Sequence, residues 1–247
     1  MKLTVLGSGS DGNGYVLHNA TEALVIECGK HYGAAMKTIA HDRRKVVGCI
    51  VSHEHGDHSR YVNEYLNAVI PVAMTEGTME ALKQSGKLKS PFMPVICRHR
   101  ETMYCGNFEI TPFHVHHDAA EPVGFHIWHP DCGAVIFLTD TDTLAERFEP
   151  PQHIMIECNY DLDTLQANTK LPQETKDRII DTHMSYTHCV DVLRRMDLSR
   201  CRQIVLIHLS NDNSLEAQFV EGVRAATGKP TVAAIVGMEL DFGTKPF

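Results

Sequence analysis

Residues 53–58 read His53-Glu54-His55-Gly56-Asp57-His58, and they follow the apolar run Val46-Val47-Gly48-Cys49-Ile50-Val51. The run has the length and the β-branched content of a buried strand. Three histidines and an aspartate crowded on one turn need either bulk water or cations between them. A solvated turn would favour Ser, Asn, Gly or Lys at these positions. The stretch therefore predicts a metal site at the end of a strand.

Three further predicted strands end in side chains of the same chemistry. After residues 108–113, 134–138 and 204–207 come, in turn, His116 and His117, Asp140, and His208. Each alone is weak, because a strand-end Asp is more often a turn former or a helix cap. With the first stretch they supply seven ligands, enough for two cations and an open position for water, with Asp140 as the candidate bridge. At this point His116 and His117 are both candidates for one position.

The composition limits the class of protein and of metal. Imidazole and carboxylate ligands suit Zn, Mn or Fe, and the near absence of sulfur at the ligand positions argues against an iron–sulfur centre. Sixteen histidines against 23 Lys plus Arg is a high share of the residue that most often binds transition metals. The formal net charge of −8 argues against a general nucleic-acid coat but allows a local basic groove.

The chain shows none of the features of a membrane or disulfide-rich protein. Its eight cysteines form no CxxC pair, and several lie in apolar runs, which predicts reduced thiols and a cytoplasmic location. The longest apolar stretches fall short of the roughly 20 residues of a membrane span, so we expect no membrane association. The sequence leaves the oligomeric state open.

Strand-like and helix-like segments alternate along the whole chain. Short β-branched apolar runs predict strands at residues 3–6, 15–17, 23–27, 46–51, 70–73, 108–113, 123–128, 134–138, 153–156, 204–207 and 231–236. Helical spacing predicts helices at residues 32–40, 61–66, 78–83, 172–180, 187–196 and 214–226. Because no linker or low-complexity tract divides the chain, we expect one α/β domain over residues 1–247, with two packed sheets and outer helices.

The HxHxDH stretch, followed in order by a distant His, an Asp and a final His, resembles the signature of the metallo-β-lactamase superfamily. The resemblance covers nearly the whole chain. It implies a four-layer αββα sandwich with a dinuclear site at the rim between the two sheets. It also implies two sets of metal ligands, His53, His55 and His117 for one ion and Asp57, His58 and His208 for the other, with Asp140 between them.

Three further strings resemble one branch of that superfamily, the YycJ/WalJ type. They are Gly7-Ser8-Gly9-Ser10-Asp11-Gly12-Asn13, His117-Asp118-Ala119-Ala120-Glu121-Pro122-Val123-Gly124-Phe125 and His208-Leu209-Ser210-Asn211-Asp212-Asn213. In that branch the ligand is the His before Asp-Ala, which here implies His117 and not His116. Residues Glu157-Cys158-Asn159-Tyr160-Asp161 resemble the branch's Glu-x-Asn-x-Asp element, although Tyr160 replaces an expected His.

The branch resemblance implies a DNA exonuclease with two divalent ions, Zn or Mn, and Asp57 and His183 as catalytic residues. Water held between the ions would attack phosphorus while both ions stabilise the attacking and leaving oxygens. His183-Met184-Ser185 resembles a motif of this branch and of tRNA 3′-processing phosphodiesterases, in which the histidine faces the scissile phosphate. We expect His183 to bind phosphate or protonate the leaving group. The alternative is a solvated His in a helix-capping loop.

Several other residues are candidates for support or substrate contact. Either Asp118 or Glu121 would accept the spare N–H of a ligating histidine and fix its tautomer. Asp11 and Asn13 of the glycine-rich opening could reach the site, and Asn159 is a further candidate. Residues 83–100 contain five basic and no acidic side chains, so they are candidates for contacts to the DNA backbone. The alternative for this segment is a solvated charged face.

Two other functions are compatible with the same residues. One is a small-molecule hydrolase of the same fold, acting on a cyclic or small phosphodiester, a lactone or a thioester. The other is a non-catalytic binding module that has kept the fold, for which the loss of a ligand would be the sign. Because all seven ligand positions are filled, the sequence favours the enzyme.

Overall fold

The structure, a computed structural model, describes residues 1–244. Within this part of the chain, fourteen strands form: β1 Lys2–Gly7, β2 Gly14–His18, β3 Ala23–Ile26, β4 Val46–Ile50, β5 Val72–Met74, β6 Val95–Ile96, β7 Met103–Cys105, β8 Phe108–His114, β9 Val123–His129, β10 Gly133–Leu138, β11 His153–Glu157, β12 Gln203–Ile207, β13 Thr231–Ala233 and β14 Glu239–Asp241. Each strand predicted from the sequence overlaps one of these.

The helices in the same part of the chain are short. They are α1 Tyr32–Thr38, α2 Gly56–Ser59, α3 Val62–Asn67, α4 Glu76–Gln84, α5 Leu162–Ala167, α6 Gln173–Thr182, α7 Tyr186–Arg195 and α8 Glu216–Thr227, with a 3-10 turn at Arg43–Lys45. The sequence prediction omitted α2 and α5, because one or two turns show too little of the helical period to be recognised. It omitted β6, β7 and β14 because edge strands of two or three residues depend on the neighbouring strand for pairing.

The strands form two seven-stranded sheets. The first has the order β14-β1-β2-β3-β4-β5-β6 and the second the order β13-β12-β11-β10-β9-β8-β7. In each sheet one half is parallel, namely β3 to β6 and β10 to β13, and the other half is antiparallel. Strands β3 and β11 are buried at every position, as expected for strands covered on both faces.

Three apolar clusters separate four layers. Leu3, Tyr15 and Ile26 of the first sheet pack against Phe125 and Phe137 of the second in the central cluster. A second cluster joins the outer face of the first sheet to α1, α3 and α4. A third joins the outer face of the second sheet to α7 and α8. The predicted αββα sandwich is therefore confirmed.

The two sheets place the ends of several strands at one edge of the sandwich. The predicted metal ligands follow β4, β8, β10 and β12, and all of them lie at that edge. Because parallel strands end on the same side of a sheet, local sequence order becomes spatial proximity there. Among residues 1–244, no helix has both the length and the apolar composition needed to cross a bilayer.

Candidate metal centre

The seven predicted ligands converge at the edge between the sheets. They form two clusters, and within each cluster the ligand atoms lie within 4.8 Å of one another. The first cluster is His53, His55, His117 and Asp140. The second cluster is Asp57, His58, Asp140 and His208. Asp140 belongs to both. The two clusters match the two sets of ligands that were predicted from the sequence for two ions. The ligand roles themselves stay predictions.

The donor atoms of the first cluster fit a cation. The buried Nε2 of His53 has no hydrogen-bond partner in the described part of the chain and lies 3.5 Å from Asp140 Oδ2. His117 Nδ1 donates to the carbonyl oxygen of Thr182 at 2.8 Å, so His117 Nε2 carries a lone pair. That lone pair faces His55 Nδ1 at 3.2 Å. A divalent cation between these nitrogens and Asp140 would satisfy all of them.

The second cluster is built around buried carboxylates. Asp57 Oδ2 lies 3.1 Å from His208 Nε2 and 3.2 Å from His58 Nε2. Burial alone would raise the pKa of Asp57, but the hydrogen bonds from these two histidines hold the pKa well below its ordinary value. Burial alone would lower the pKa of His208, yet the Asp140 carboxylate and its other acidic neighbours raise it to about 10. A field that holds a proton on His208 also favours a divalent cation.

Two buried glutamates lie beside the Nδ1 atoms of two cluster histidines. Glu27 Oε1 lies 3.3 Å from His58 Nδ1, and Glu157 Oε1 lies 3.1 Å from His208 Nδ1. A carboxylate in this position fixes the tautomer and the ring orientation of a metal-binding histidine. The sequence reading assigned no role to either glutamate. The signal was available, because each one ends a buried apolar run, at residues 23–27 and 153–157.

The backbone is strained at three of these strand ends. Glu27, Asp140 and His208 have φ values of 70°, 46° and 54°, in the left-handed region that non-glycine residues seldom adopt. Each such residue costs about 1–3 kcal/mol and persists only where the surrounding structure enforces it. Because all three carry side chains of the clusters or their supports, the strain turns these side chains toward one point.

His183 lies beside the clusters at the end of α6. Its Nδ1 is 2.7 Å from Glu157 Oε1, and its ring stacks on that of His208 at a centroid distance of 5.4 Å. Burial alone would lower the pKa of His183, but the Glu157 carboxylate raises it. The Nε2 atom has no hydrogen-bond partner in the described chain, and the side chain is 13% exposed. This geometry does not fit the solvated capping His of the alternative interpretation.

The two adjacent histidines of the middle string have different environments. His117 lies in the first cluster, whereas the side chain of His116 is 70% exposed and its Nδ1 lies 2.9 Å from Asp142 Oδ1. The structure therefore brings His117, and not His116, to the candidate centre.

Asp118 and Glu121, the two candidates for accepting the spare N–H of a ligating histidine, have other hydrogen-bond partners in the described chain. Asp118 forms a bidentate ion pair with Arg178, at 2.6 and 3.2 Å, and Glu121 accepts the backbone N–H of Gly77 at 2.7 Å. The spare N–H of His117 goes instead to a backbone carbonyl, which no sequence pattern marks. Asp118 still lies at the rim, with Oδ1 3.3 Å from His117 Nε2.

The two asparagines are at the centre, and Asp11 is not. Asn13 Nδ2 lies 3.3 Å from Asp57 Oδ2 and 3.1 Å from His58 Nε2, while Asn159 Nδ2 donates to the carbonyl of His208 at 2.9 Å. Asp11 is exposed, and among residues 1–244 its side chain has no hydrogen bond to the clusters. The glycine-rich opening thus contributes Asn13 and close backbone packing.

The basic segment 83–100 is largely neutralised. Lys83 pairs with Glu80, Arg98 with Glu101, and Arg100 with Glu146. The two remaining cations, Lys87 and Lys89, are exposed and form no ion pair in the described part of the chain. The segment therefore offers less positive charge than its composition indicates.

With the fold and the clusters in place, comparison with known proteins shows the family. The family described as "Beta-lactamase superfamily domain" matches residues 22–209, and the chain belongs to it. The expected superfamily and its YycJ/WalJ branch are confirmed. This membership and the two His/Asp clusters make the chain a metal-dependent hydrolase that binds divalent metal.

Individual relatives fall within the expected branch. The exodeoxyribonuclease WalJ of Streptococcus pneumoniae strain D39 is 28% identical over 228 residues, covering 87% of this chain and 84% of that protein. The exodeoxyribonuclease YycJ of Bacillus anthracis is 26% identical over 227 residues, covering 87% and 85%. The crystal structure of the metallo-β-lactamase fold protein YhfI from Bacillus subtilis matches with a TM-score of 0.72 and 16% identity, over 97% and 99% of the two chains.

Proposed function

We propose that this protein is a DNA exonuclease that hydrolyses phosphodiester bonds at a centre of two divalent ions. The observation that carries the proposal is the pair of clusters that share Asp140. The substrate class comes from the relatives named exodeoxyribonucleases. When bound, two such ions acidify a water molecule and neutralise charge on a phosphate.

The proposed ligands divide between the ions as the clusters do: His53, His55 and His117 on one side, Asp57, His58 and His208 on the other, and Asp140 between them. Imidazole nitrogens and carboxylate oxygens suit Zn or Mn, and the described clusters contain no thiolate. We expect binding of the second ion to depend on Asp57, because its carboxylate lies beside both His58 and His208.

His183 is the proposed contact to the scissile phosphate. Glu157 holds its Nδ1, so Nε2 is the atom free to bind a phosphoryl oxygen or to pass a proton to the leaving oxygen. The same glutamate orients His208, which ties the phosphate contact to the second cluster. Asn159 Nδ2 also supports His208, because it donates to the backbone carbonyl at 2.9 Å and lies 3.1 Å from Nδ1.

The setting of the enzyme follows from the core. We propose that residues 1–247 form one domain, because side chains of both sheets share the central cluster and both sheets contribute to the site. A reducing, cytoplasmic environment is proposed from the eight cysteines, which are all free and buried.

The test is a nuclease assay on end-labelled DNA with Mn, Zn or Mg, using wild-type, Asp57→Asn and His183→Ala proteins. Asp57→Asn should remove activity together with bound metal, since it removes a charged ligand. His183→Ala should remove activity while metal analysis finds the metal retained. Metal-loaded wild-type protein that leaves all DNA intact but hydrolyses a small phosphodiester, lactone or thioester would instead establish the small-molecule hydrolase.

A further inference from the structure

A groove runs along α7, between this helix and the segment that follows β10. Its inner part, about 580 Å³, is lined by Asp142, Thr143 and His188 and by the outer residues of α7. Its outer part, about 600 Å³, lies between residues 144–151 and the end of the same helix. Both parts are lined by Val192 and Arg195, so they lie next to each other along the surface.

The inner end of the groove is lined by residues that are close to the proposed centre along the chain. Asp142 follows Asp140 by two residues, and α7 begins three residues after His183. With ten residues at about 1.5 Å each, the helix extends about 15 Å away from the centre. A strand bound with its scissile phosphate at His183 would therefore pass along α7.

The wall opposite α7 is held in place by specific contacts. Phe148 packs against Phe113 at a ring-centroid distance of 4.8 Å and stacks over His126. Glu146 accepts two hydrogen bonds from Arg100, at 3.0 and 3.1 Å. The channel is therefore a built feature of the fold.

The groove carries cations that form no ion pair in the described chain, although Arg195 Nε donates to the Asp191 carbonyl oxygen at 3.2 Å. Arg147, Arg194 and Arg195 are exposed, and none has a carboxylate partner in the described chain. Most carboxylates of the lining are engaged elsewhere, because Glu146 pairs with Arg100, Asp142 with His116, and Asp197 caps Ser199 N. Asp191 alone remains beside them. In a chain with a formal net charge of −8, three unpaired arginines in one groove indicate an anionic ligand.

We propose that this groove binds the sugar–phosphate backbone of the nucleic-acid strand that enters the centre, with Arg194, Arg195 and Arg147 contacting successive phosphates. The inference rests on the proposed function and adds the path of the substrate. Phosphates follow one another every 3.4 Å or so along a stacked strand, so about 15 Å of helix corresponds to four or five nucleotides. The groove and segment 83–100 are alternative candidates for contacts to the DNA backbone. Most cations of the segment are already in ion pairs.

The test measures binding apart from cleavage. The anisotropy of a fluorescent single-stranded oligonucleotide, with terminal phosphorothioate linkages that resist exonuclease cleavage, is followed with metal-loaded protein over a salt series of roughly 50 to 200 mM. Removing two phosphate contacts should lower the slope of log K against log salt by about 1.4, or about 0.7 for each contact. We expect this decrease for the double variant Arg194→Gln/Arg195→Gln. The matched double variant Lys87→Gln/Lys89→Gln should keep the wild-type slope, and both should keep the wild-type Tm.

Each outcome is decisive. Three results would overturn the proposal that the groove binds the strand. They are an unchanged slope in the arginine variant, a decreased slope in the lysine variant, and no binding by the wild-type protein. If binding depends on the arginines but the metal-loaded protein does not cleave DNA, the groove proposal is supported and the exonuclease proposal is refuted. In the cleavage assay, wild-type kcat/KM should rise with substrate length to about five nucleotides. The arginine variant should lose this rise.

Discussion

His116 and His117 are neighbours in the sequence but lie in different environments. His117 is held by the Thr182 carbonyl and faces His55, whereas His116 is exposed and paired with Asp142. His116 lies just past the end of β8 and His117 begins a bend, and only His117 faces the clusters. The contacts of each ring therefore decide which of the two imidazoles is available to a metal.

This pair provides the first prediction. His117→Ala should lower the metal content of loaded protein and abolish hydrolysis, because it removes a proposed ligand. His116→Ala, the matched control, should retain both, since an exposed pair contributes little. Metal analysis and a nuclease assay on the two variants measure this. Equal metal content in both would contradict the assignment of His117.

Glu157 is the second residue with a testable role. It contacts the Nδ1 atoms of both His183 and His208, so Glu157→Gln weakens two side chains at once. We expect metal affinity or kcat to fall by about 10- to 100-fold, the usual cost of losing such a support. Glu149→Gln, a change at an exposed position, should be silent. Wild-type kcat and metal affinity in Glu157→Gln would show that the carboxylate only fills space.

At the scale of elements, three segments meet at one glycine. Gly29 N donates to the carbonyl oxygen of Asn13 at 2.9 Å, and Asn13 N donates to that of Asp57 at 2.7 Å. A Cβ on Gly29 would lie 1.7 Å from the Asp57 carbonyl oxygen. The end of β3, the glycine-rich opening and the start of α2 can approach this closely only because residue 29 has no side chain.

Gly29→Ala should therefore separate these segments. We expect a loss of about 1–3 kcal/mol in the free energy of unfolding, the usual cost of overpacking, together with weaker metal binding. Gly33→Ala in α1 is the control, because a Cβ there has nothing within 4 Å, and it should stabilise the protein by up to about 1 kcal/mol. Urea unfolding of both variants decides the matter. A neutral effect of Gly29→Ala would mean that the backbone can yield here.

At the scale of the whole molecule, a histidine far from the clusters makes folding sensitive to acid. His153 in β11 is buried, stacks on Phe242 at 4.0 Å, and has no hydrogen-bond partner for either ring nitrogen within residues 1–244. Burial lowers the pKa of His153 to about 4. The unfolded chain, with a pKa near 6.5, thus binds a proton that the folded protein refuses between these two values.

The expected consequence is a loss of stability as the pH falls from about 6.5 to about 4. At pH 5 the contribution of His153 to this loss is about 2 kcal/mol by linkage from the two pKa values. His153→Phe should remove this contribution. Between neutral pH and pH 5 the free energy of unfolding of the variant should therefore fall by about 2 kcal/mol less than that of the wild type. Urea unfolding in EDTA at both pH values measures the difference. Parallel curves for the two proteins would refute the assignment.

Local sequence patterns predicted eleven of the fourteen described strands, the layer architecture and the proposed metal ligands. His53 to His58 lie on a single turn after a buried strand, so their proximity is local and needs no knowledge of the fold. Asp140 and His208 were predictable for a related reason, since each follows an apolar run and parallel strands end together.

The tertiary structure alone decided which groups support those ligands and where a substrate can pass. Glu27, Glu157 and the Thr182 carbonyl meet their histidines across strands distant in the sequence, so no local spacing encodes these contacts. The same holds for the arginine groove. Its charges stand out only because folding leaves them unpaired while it neutralises the basic segment 83–100, which a composition count favours.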